Sequence, residues 1–279
     1  NKLTDNNSKF QSNKLSIHRT ISDTTNATPS KKNVVFILVE SLSASFMKEF
    51  GNQQNITPFL DSLAQKSVFF DNLYATGTRT VRGMEAMTLC IPPTPGQSIV
   101  KRPENQNLFT VSNVFKSKGY NSNFFYGGDG YFDNMNAYFG GNGFTIYDRG
   151  RGSVLSDKIK TTRNNINDNE VTFENAWGIC DEDIYSKMLN VADEHHKNNK
   201  PFFNFVMTTS NHRPFTYPDN AIDIPSGSGR EGAVKYTDYA IKKMFQKAKN
   251  KPWFKNTVFI IIADHCASSA GKDEIDVAN

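Results

Sequence analysis

Val258-Phe259-Ile260-Ile261-Ile262-Ala263 runs unbroken into Asp264-His265. A short apolar run that ends on a polar pair reads as a strand buried on both faces, which is the habit of parallel sheets. A second run, Val34-Val35-Phe36-Ile37-Leu38-Val39, ends in the same manner on Glu40. Open α/β sheets place their sites outside the carboxyl ends of the strands. Two carboxylates and an imidazole would therefore converge, and that donor set suits a divalent cation. One Asp-His pair after a strand is equally compatible with a plain turn. The matching Glu40 turns the reading towards a site.

Outward from these two runs the punctuation alternates. Thr57-Pro58 opens a helix expected over 57–66, with Thr57 as N-cap and Pro58 at the first helical position. A short strand is expected over 69–74 and a helix over 107–118, with apolar residues at Leu108, Val111, Val114 and Phe115 and a stop at Gly119. Residues 123–126 read as a strand, 181–197 as a helix, 202–207 as a buried strand and 234–249 as a helix. The expected fold is α/β, with a mostly parallel central sheet and helices on both faces. Residues 150–169 carry no period and read as a mobile surface loop, and 124–144 as irregular aromatic packing or the wall of a cleft. Asp129 and Asp133 count there as exposed loop residues.

Between the two runs lies Ala75-Thr76-Gly77-Thr78-Arg79-Thr80-Val81-Arg82-Gly83-Met84-Glu85. It starts as a loop and turns helical near Thr80. A helix N-terminus carries unpaired N–H groups that favour anions, and Arg79 and Arg82 supply forks suited to phosphate. A hydroxyl at that point, beside a cation, can act as a nucleophile. The competing reading makes Thr80 a simple N-cap and the arginines solvated. His212 follows the strand 202–207 and precedes a proline turn, so it would be aimed at the same strand ends and could protonate a leaving alkoxide.

Taken in order, Val-Glu-Ser at 39–41, Gly-Thr-Arg-Thr at 77–80, Thr-Ser-Asn-His-Arg-Pro-Phe-Thr at 209–216 and Ala-Asp-His at 263–265 resemble the catalytic domain of the lipoteichoic acid synthase family. These are phosphoglycerol transferases of the alkaline phosphatase and sulfatase superfamily. The resemblance covers residues 33–279 and is nearer to Gram-negative relatives. It implies a metal site, usually Mn²⁺, at Glu40, Thr80, Asp264 and His265, with Thr80 as the phosphorylated nucleophile. It puts His212 against the phosphoglycerol, Trp177 in the substrate pocket, and Arg79 where the family has a lysine. Arg82 is taken as a further substrate contact. The donor set also admits Zn²⁺ or Mg²⁺. Glu85 stands five residues after Thr80, one more than in the Gram-positive pattern. The implied reaction moves a phosphoglycerol-type headgroup from a phospholipid to a glycan or glycerol acceptor through a phosphothreonine. The alternative is a phosphodiesterase, phosphatase or sulfatase-type hydrolase of the same superfamily. Cys90-Ile91-Pro92-Pro93-Thr94 imitates half of a sulfatase motif, but Thr94 replaces its arginine.

The global figures agree with a globular enzyme domain. The 279 residues are 37% hydrophobic and 22% charged, with a net charge of +4. That small, scattered excess does not argue for nucleic acid. Three cysteines at wide spacing give no disulfide framework. No apolar stretch reaches membrane-spanning length, and no signal peptide is visible. The polar residues 1–32 read as a lead-in, with residues 33–279 as the catalytic domain. The expectation is a fragment anchored upstream on the extracytoplasmic, periplasmic face of a bacterial inner membrane. Further sheet and helix are expected beyond Asn279.

Overall fold

The computed structural model describes residues 30–150 and 162–267. Six strands form one sheet in the order β4-β3-β2-β5-β1-β6, and every pairing is parallel. They are β1 (Asn33–Val39), β2 (Asn121–Tyr126), β3 (Thr145–Asp148), β4 (Arg163–Asn165), β5 (Phe202–Met207) and β6 (Thr257–Ala263). The helices are α1 (Pro58–Ala64), α2 (Thr80–Leu89), α3 (Val111–Ser117), α4 (Met135–Gly141), α5 (Asp181–Lys197) and α6 (Arg230–Ala248).

Alternation along the strands divides the interior into two layers. Val35, Ile37, Val39, Phe202 and Val206 face one core, filled from α1, α5 and α6 by Leu60, Ile184, Met188, Ile241 and Met244. Leu38, Phe203, Phe205 and Met207 face the other, which holds Met84 of α2 and Tyr138 and Phe139 of α4. Phe124, Tyr126, Tyr138, Phe139 and Phe144 of the aromatic segment 124–144 belong to this second layer, and Phe125 to the first. Phe124 stacks on Phe139 at 3.6 Å between ring centres, and both are fully buried. Most of the segment's rings are therefore core, whereas Tyr131 and Phe132 are exposed and Phe132 lines the site cavity.

Register is what builds the site. Val39 pairs with Ala263 and Leu38 with Met207, so β1 and β6 end level and β5 ends within one residue of them. The next residues, Glu40, Thr208 and Asp264, therefore emerge side by side. Their backbones stay tied: Thr208 N–H donates to Leu38 O at 3.1 Å and Asp264 N–H to Val39 O at 3.2 Å.

Several expectations need correction. β6 is not buried on both faces. Among the described residues it is one of the sheet's two edge strands, and Val258 and Ile260 are 45% and 40% exposed. An apolar run alone does not distinguish a central strand from an edge one. Residues 69–74 form no strand, and Phe70 and Tyr74 are exposed. In the expected loop 150–169, residues 151–161 lie outside the described residues, but Arg163–Asn165 pairs with β3 as a sixth strand. The expected lead-in falls, over 1–29, outside the described residues, as does 268–279. α3 starts only at Val111, because Thr110 and Asn113 form a reciprocal capping box. α1 ends at Ala64, and α6 begins at Arg230, four residues ahead of the expected Val234. Asp129 and Asp133 are not free loop carboxylates: Arg163 bonds Asp129 at 2.8 Å and Lys101 bonds Asp133 at 2.6 Å.

Candidate active site

Glu40, Asp264 and His265 present ligand atoms that all lie within 4.8 Å of one another, and all three side chains are buried. Thr80 joins them from the first position of α2. Its Oγ1 donates to Glu40 Oε2 at 3.1 Å and sits 3.5 Å from His265 Nε2. Arg79 occupies the N-cap position and the Thr80 hydroxyl is engaged by Glu40, so Thr80 is not a plain N-cap. The structure thus brings together the four residues named from the sequence.

The chemistry of this cluster is unbalanced without a cation. His265 Nδ1 lies 2.8 Å from Cys266 O and so carries a ring proton, which turns Nε2 towards the cluster. Nε2 faces Asp264 Oδ2 at 3.4 Å and Glu40 Oε1 at 3.7 Å. Asp264 Oδ2 is buried and has no hydrogen-bond donor. Ligand atoms of Glu40, Asp264 and His265 therefore converge on one point, and the Thr80 hydroxyl joins them. Burial first, and then the nearby Glu40 charge, hold the Asp264 carboxyl well above the usual carboxylate range. Two carboxylates, one imidazole nitrogen and a hydroxyl fit a small divalent ion.

Supporting contacts fix each member. Asp264 Oδ1 accepts the N–H groups of Ser41 at 2.8 Å and His265 at 2.7 Å. Ser41 Oγ donates to Glu40 Oε1 at 2.7 Å, and Ser41 holds a positive φ of 51° directly after the ligand. Glu40 N–H donates to Thr208 Oγ1 at 2.9 Å, and Asn211 Nδ2 donates to Glu40 O at 2.7 Å. Gly83, one turn after Thr80, lets α2 lie on the Asp264 backbone: a Cβ there would stand 2.6 Å from Asp264 O. None of these supports was singled out from the sequence. Gly83 carried a usable signal, since a glycine inside a helix pattern marks close packing. Ser41 and Asn211 fall inside the motifs Val-Glu-Ser and Thr-Ser-Asn-His but had no role of their own there, and Thr208 carried no signal.

A cavity of about 590 Å³ opens beside Thr80 and Glu40. Arg79 is exposed and lines it. Arg82 also lines it, but Nη1 bonds Glu85 Oε1 at 2.7 Å and Nη2 bonds Gly96 O. Glu85 is fully buried and accepts Ser98 Oγ and Ile99 N–H as well, each at 2.7 Å. On the far wall Trp177 lies flat on His212, with ring centres 3.4 Å apart and planes 7° from parallel. His212 Nδ1 bonds Arg213 O at 3.0 Å, which leaves Nε2 for chemistry. The turn that carries His212 is held by Asp181, fully buried, whose Oδ1 accepts Thr209 N–H at 2.8 Å and Ser210 N–H at 3.1 Å. Its Oδ2 accepts Thr237 Oγ1 at 2.8 Å. Cys90, of the imitation sulfatase motif, caps the opposite end of α2 from Thr80 and is exposed.

A parallel sheet that delivers a threonine hydroxyl into a Glu-Asp-His cluster at its strand ends defines an alkaline phosphatase-like domain. Residues 32–276 match the Sulfatase family, and the chain belongs to that family of enzymes. The chain is 26% identical to lipoteichoic acid synthase 2 of Bacillus subtilis over 266 residues, which cover 88% of this chain and 38% of that protein. It is 25% identical to phosphoglycerol transferase I of Escherichia fergusonii over 254 residues, 85% of this chain and 31% of the other. In structure it is similar to an alkaline phosphatase superfamily protein of Vibrio parahaemolyticus, with a TM-score of 0.78 and 38% identity. That match covers 90% of this chain and 58% of the other. The lipoteichoic acid synthase LtaP of Listeria monocytogenes shares the fold at a TM-score of 0.68 and 21% identity, over 85% of this chain and 56% of that one. The chain thus spans less than half the length of these curated relatives.

Proposed function

We propose that the chain transfers a phosphoglycerol-type headgroup from a phospholipid to a glycan or glycerol hydroxyl, through a phosphothreonine at Thr80. The observation that carries this reading is the Thr80 hydroxyl, hydrogen-bonded to Glu40 within the Glu40–Asp264–His265 cluster. The named relatives, one a lipoteichoic acid synthase and one a phosphoglycerol transferase, support the substrate class.

Glu40, Asp264 and His265, with Thr80 beside them, are the residues that would hold a divalent ion, for which we propose Mn²⁺ ahead of Zn²⁺ or Mg²⁺. Such an ion, when bound, favours the ionised hydroxyl and offsets phosphoryl charge. The chain's own groups do the rest. Glu40 Oε2 accepts the hydrogen bond of the Thr80 hydroxyl and orients its oxygen towards the cavity. The N-terminus of α2 and the Arg79 guanidinium face the charge that builds on the phosphoryl oxygens. His212, held flat by Trp177, is placed to give a proton to the departing diacylglycerol oxygen. An acceptor hydroxyl then attacks the phosphothreonine, and the same histidine takes its proton. Arg82, whose guanidinium is occupied by Glu85 and Gly96 O, acts in this account by shaping the wall of the substrate cavity.

No helix of the described residues is long and apolar enough to cross a membrane. We propose that contact with the donor lipid comes through an anchor upstream of this domain, on the periplasmic face. The test is turnover of phosphatidylglycerol by wild type and Thr80→Ala, with and without a glycan or glycerol acceptor. Diacylglycerol release that is lost in Thr80→Ala, with the headgroup recovered on the acceptor, supports transfer. Recovery as free glycerol phosphate in the presence of acceptor would make the domain a hydrolase. Wild-type release by the alanine variant would remove Thr80 from the mechanism.

A further inference from the structure

Resting on the phosphoglycerol reading, we propose that the ion pair between Lys101 and Asp133 is a specificity-determining element. It reads the neutral vicinal diol of the donor headgroup and rejects headgroups that end in an ammonium. Lys101 Nζ lies 2.6 Å from Asp133 Oδ1, and both residues line the cavity that holds Thr80 and Glu40. The pair is reached from the site along an aromatic path. His212 stacks on Trp177 at 3.4 Å, Trp177 meets the ring of Phe132 edge-on at 5.1 Å, and Asp133 is the next residue.

Both partners are held in place before any ligand arrives. Lys101 ends a short 3-10 turn (Ile99–Lys101) whose first N–H is bonded to the buried Glu85 carboxylate at 2.7 Å. Asp133 sits at φ 53° and Asn134 at φ 61°, conformations that Asp and Asn tolerate better than most residues. Asn134 Nδ2 bonds Arg102 O at 3.1 Å, which fastens the turn of Asp133 to the residue after Lys101. The side chains remain reachable, at 42% exposed for Lys101 and 18% for Asp133. A fixed, accessible ion pair that lines the same cavity as Thr80 and Glu40 is placed to meet the ligand.

The chemistry selects among headgroups. Adjacent hydroxyls of a glycerol can bond the pair together, one donating to the Asp133 carboxylate and the other accepting from the Lys101 ammonium. A primary ammonium would have to share Asp133 with a cation already 2.6 Å away, and like charges so placed repel. A quaternary ammonium has no donor at all. The exposed Arg79 at the same cavity adds positive charge and favours a headgroup whose net charge is negative.

The test uses the full chain with Mn²⁺ and two soluble diesters, methyl phosphoglycerol and methyl phosphoethanolamine, of which only the first carries a vicinal diol. Binding is read by calorimetry, alongside diacylglycerol release from phosphatidylglycerol and phosphatidylethanolamine. Wild type should favour the glycerol compounds by about tenfold or more. Lys101→Met should narrow that ratio to within about threefold, because a bare Asp133 now accepts an ammonium. Asp133→Asn should weaken the glycerol ligand about tenfold with no gain for ethanolamine. A ratio unchanged in both variants, or a wild-type preference for ethanolamine, overturns the inference. Variants that shift the KM for free glycerol as acceptor but leave diacylglycerol release untouched assign the diol to the acceptor, and overturn the donor assignment. A wild-type chain that cleaves bis(p-nitrophenyl) phosphate yet shows no headgroup preference refutes this inference alone. One that cleaves neither lipid nor chromogenic diester refutes the transfer reading and this inference with it.

Discussion

Replacing Gly83 by alanine sets two effects of known size against each other. Alanine is the better helix former by about 1 kcal/mol, so an exposed glycine at this point in α2 would stabilise the fold when replaced. Gly83 is not exposed. The added Cβ would meet Asp264 O at 2.6 Å and the Asp264 Cα and Cβ at 2.9 Å each. Ordinary contact begins at 3.4 Å, so α2 and the β6 end must separate by 0.5 to 0.8 Å. Overpacking of this kind costs about 1–3 kcal/mol, which cancels or exceeds the propensity gain. The net change in stability should lie between about zero and 2 kcal/mol of loss. The effect on rate should be larger than the effect on folding. The gap that opens lies between Thr80 and its cluster, and a misplacement near 1 Å can cost on the order of 10²-fold. Steady-state turnover of a chromogenic phosphodiester, with urea unfolding in parallel, separates the two. A variant that gains the full 1 kcal/mol and keeps wild-type kcat/KM would refute the claim that Gly83 seats the nucleophile against Asp264.

Three further outcomes follow from the same geometry. Asp181→Ala leaves two backbone N–H groups and the Thr237 hydroxyl without their acceptor. It should cost about 2–4 kcal/mol in urea unfolding and loosen the His212 turn, and a loss below about 1 kcal/mol would contradict the assignment. Burial raises the Asp238 carboxyl to about 6 from its ordinary 3.8, even though it accepts the Phe59 and Leu60 N–H groups. The folded chain then holds a proton that the unfolded chain releases between those values. This group's contribution is full below pH 3.8 and is lost as pH rises through about 6. Asp238→Asn, which cannot titrate, should therefore gain about 3 kcal/mol on wild type between pH 3.8 and 7; a difference that stays flat with pH would be the wrong result. Mn²⁺ at about 100 times its Kd should stabilise the chain by about 2.7 kcal/mol. Chelation by EDTA should reverse this, and Asp264→Asn should abolish it. The affinity should rise with pH as Asp264 gives up its proton, and a melting temperature indifferent to metal would contradict the donor set.

The site was more legible than its surroundings. Glu40 and Asp264-His265 each stand directly after an apolar run, so strand patterning alone puts their chemistry at the sheet's carboxyl edge. Helix α5 and strand β5 match their sequence boundaries because both are bounded by polar or proline residues that local rules can read. Other features depend on contacts distant in the chain. The burial of β6 depends on which strands flank it, and that is a property of the sheet and not of the run. The 69–74 segment has strand-like composition but no partner among the described residues. Arg163–Asn165 has polar composition, yet pairs with β3. Asp129 and Asp133 read as loop acids because their cations, Arg163 and Lys101, lie 34 and 32 residues away. Arg82 reads as a phosphate contact from its position alone; it lines the cavity, and Glu85 three residues later also engages it. Intra-helix spacing makes that pair readable in hindsight.

The central claim is that the Thr80 oxygen takes the phosphoryl group. It is tested most directly by incubating the full chain with phosphatidylglycerol and Mn²⁺, quenching in acid, and measuring the mass of the peptide that contains Thr80. The account predicts a glycerophosphoryl adduct on Thr80 that disappears when an acceptor is added and never forms in Thr80→Ala. Turnover of the lipid with an unmodified Thr80 peptide, or with the adduct on another side chain, would contradict it.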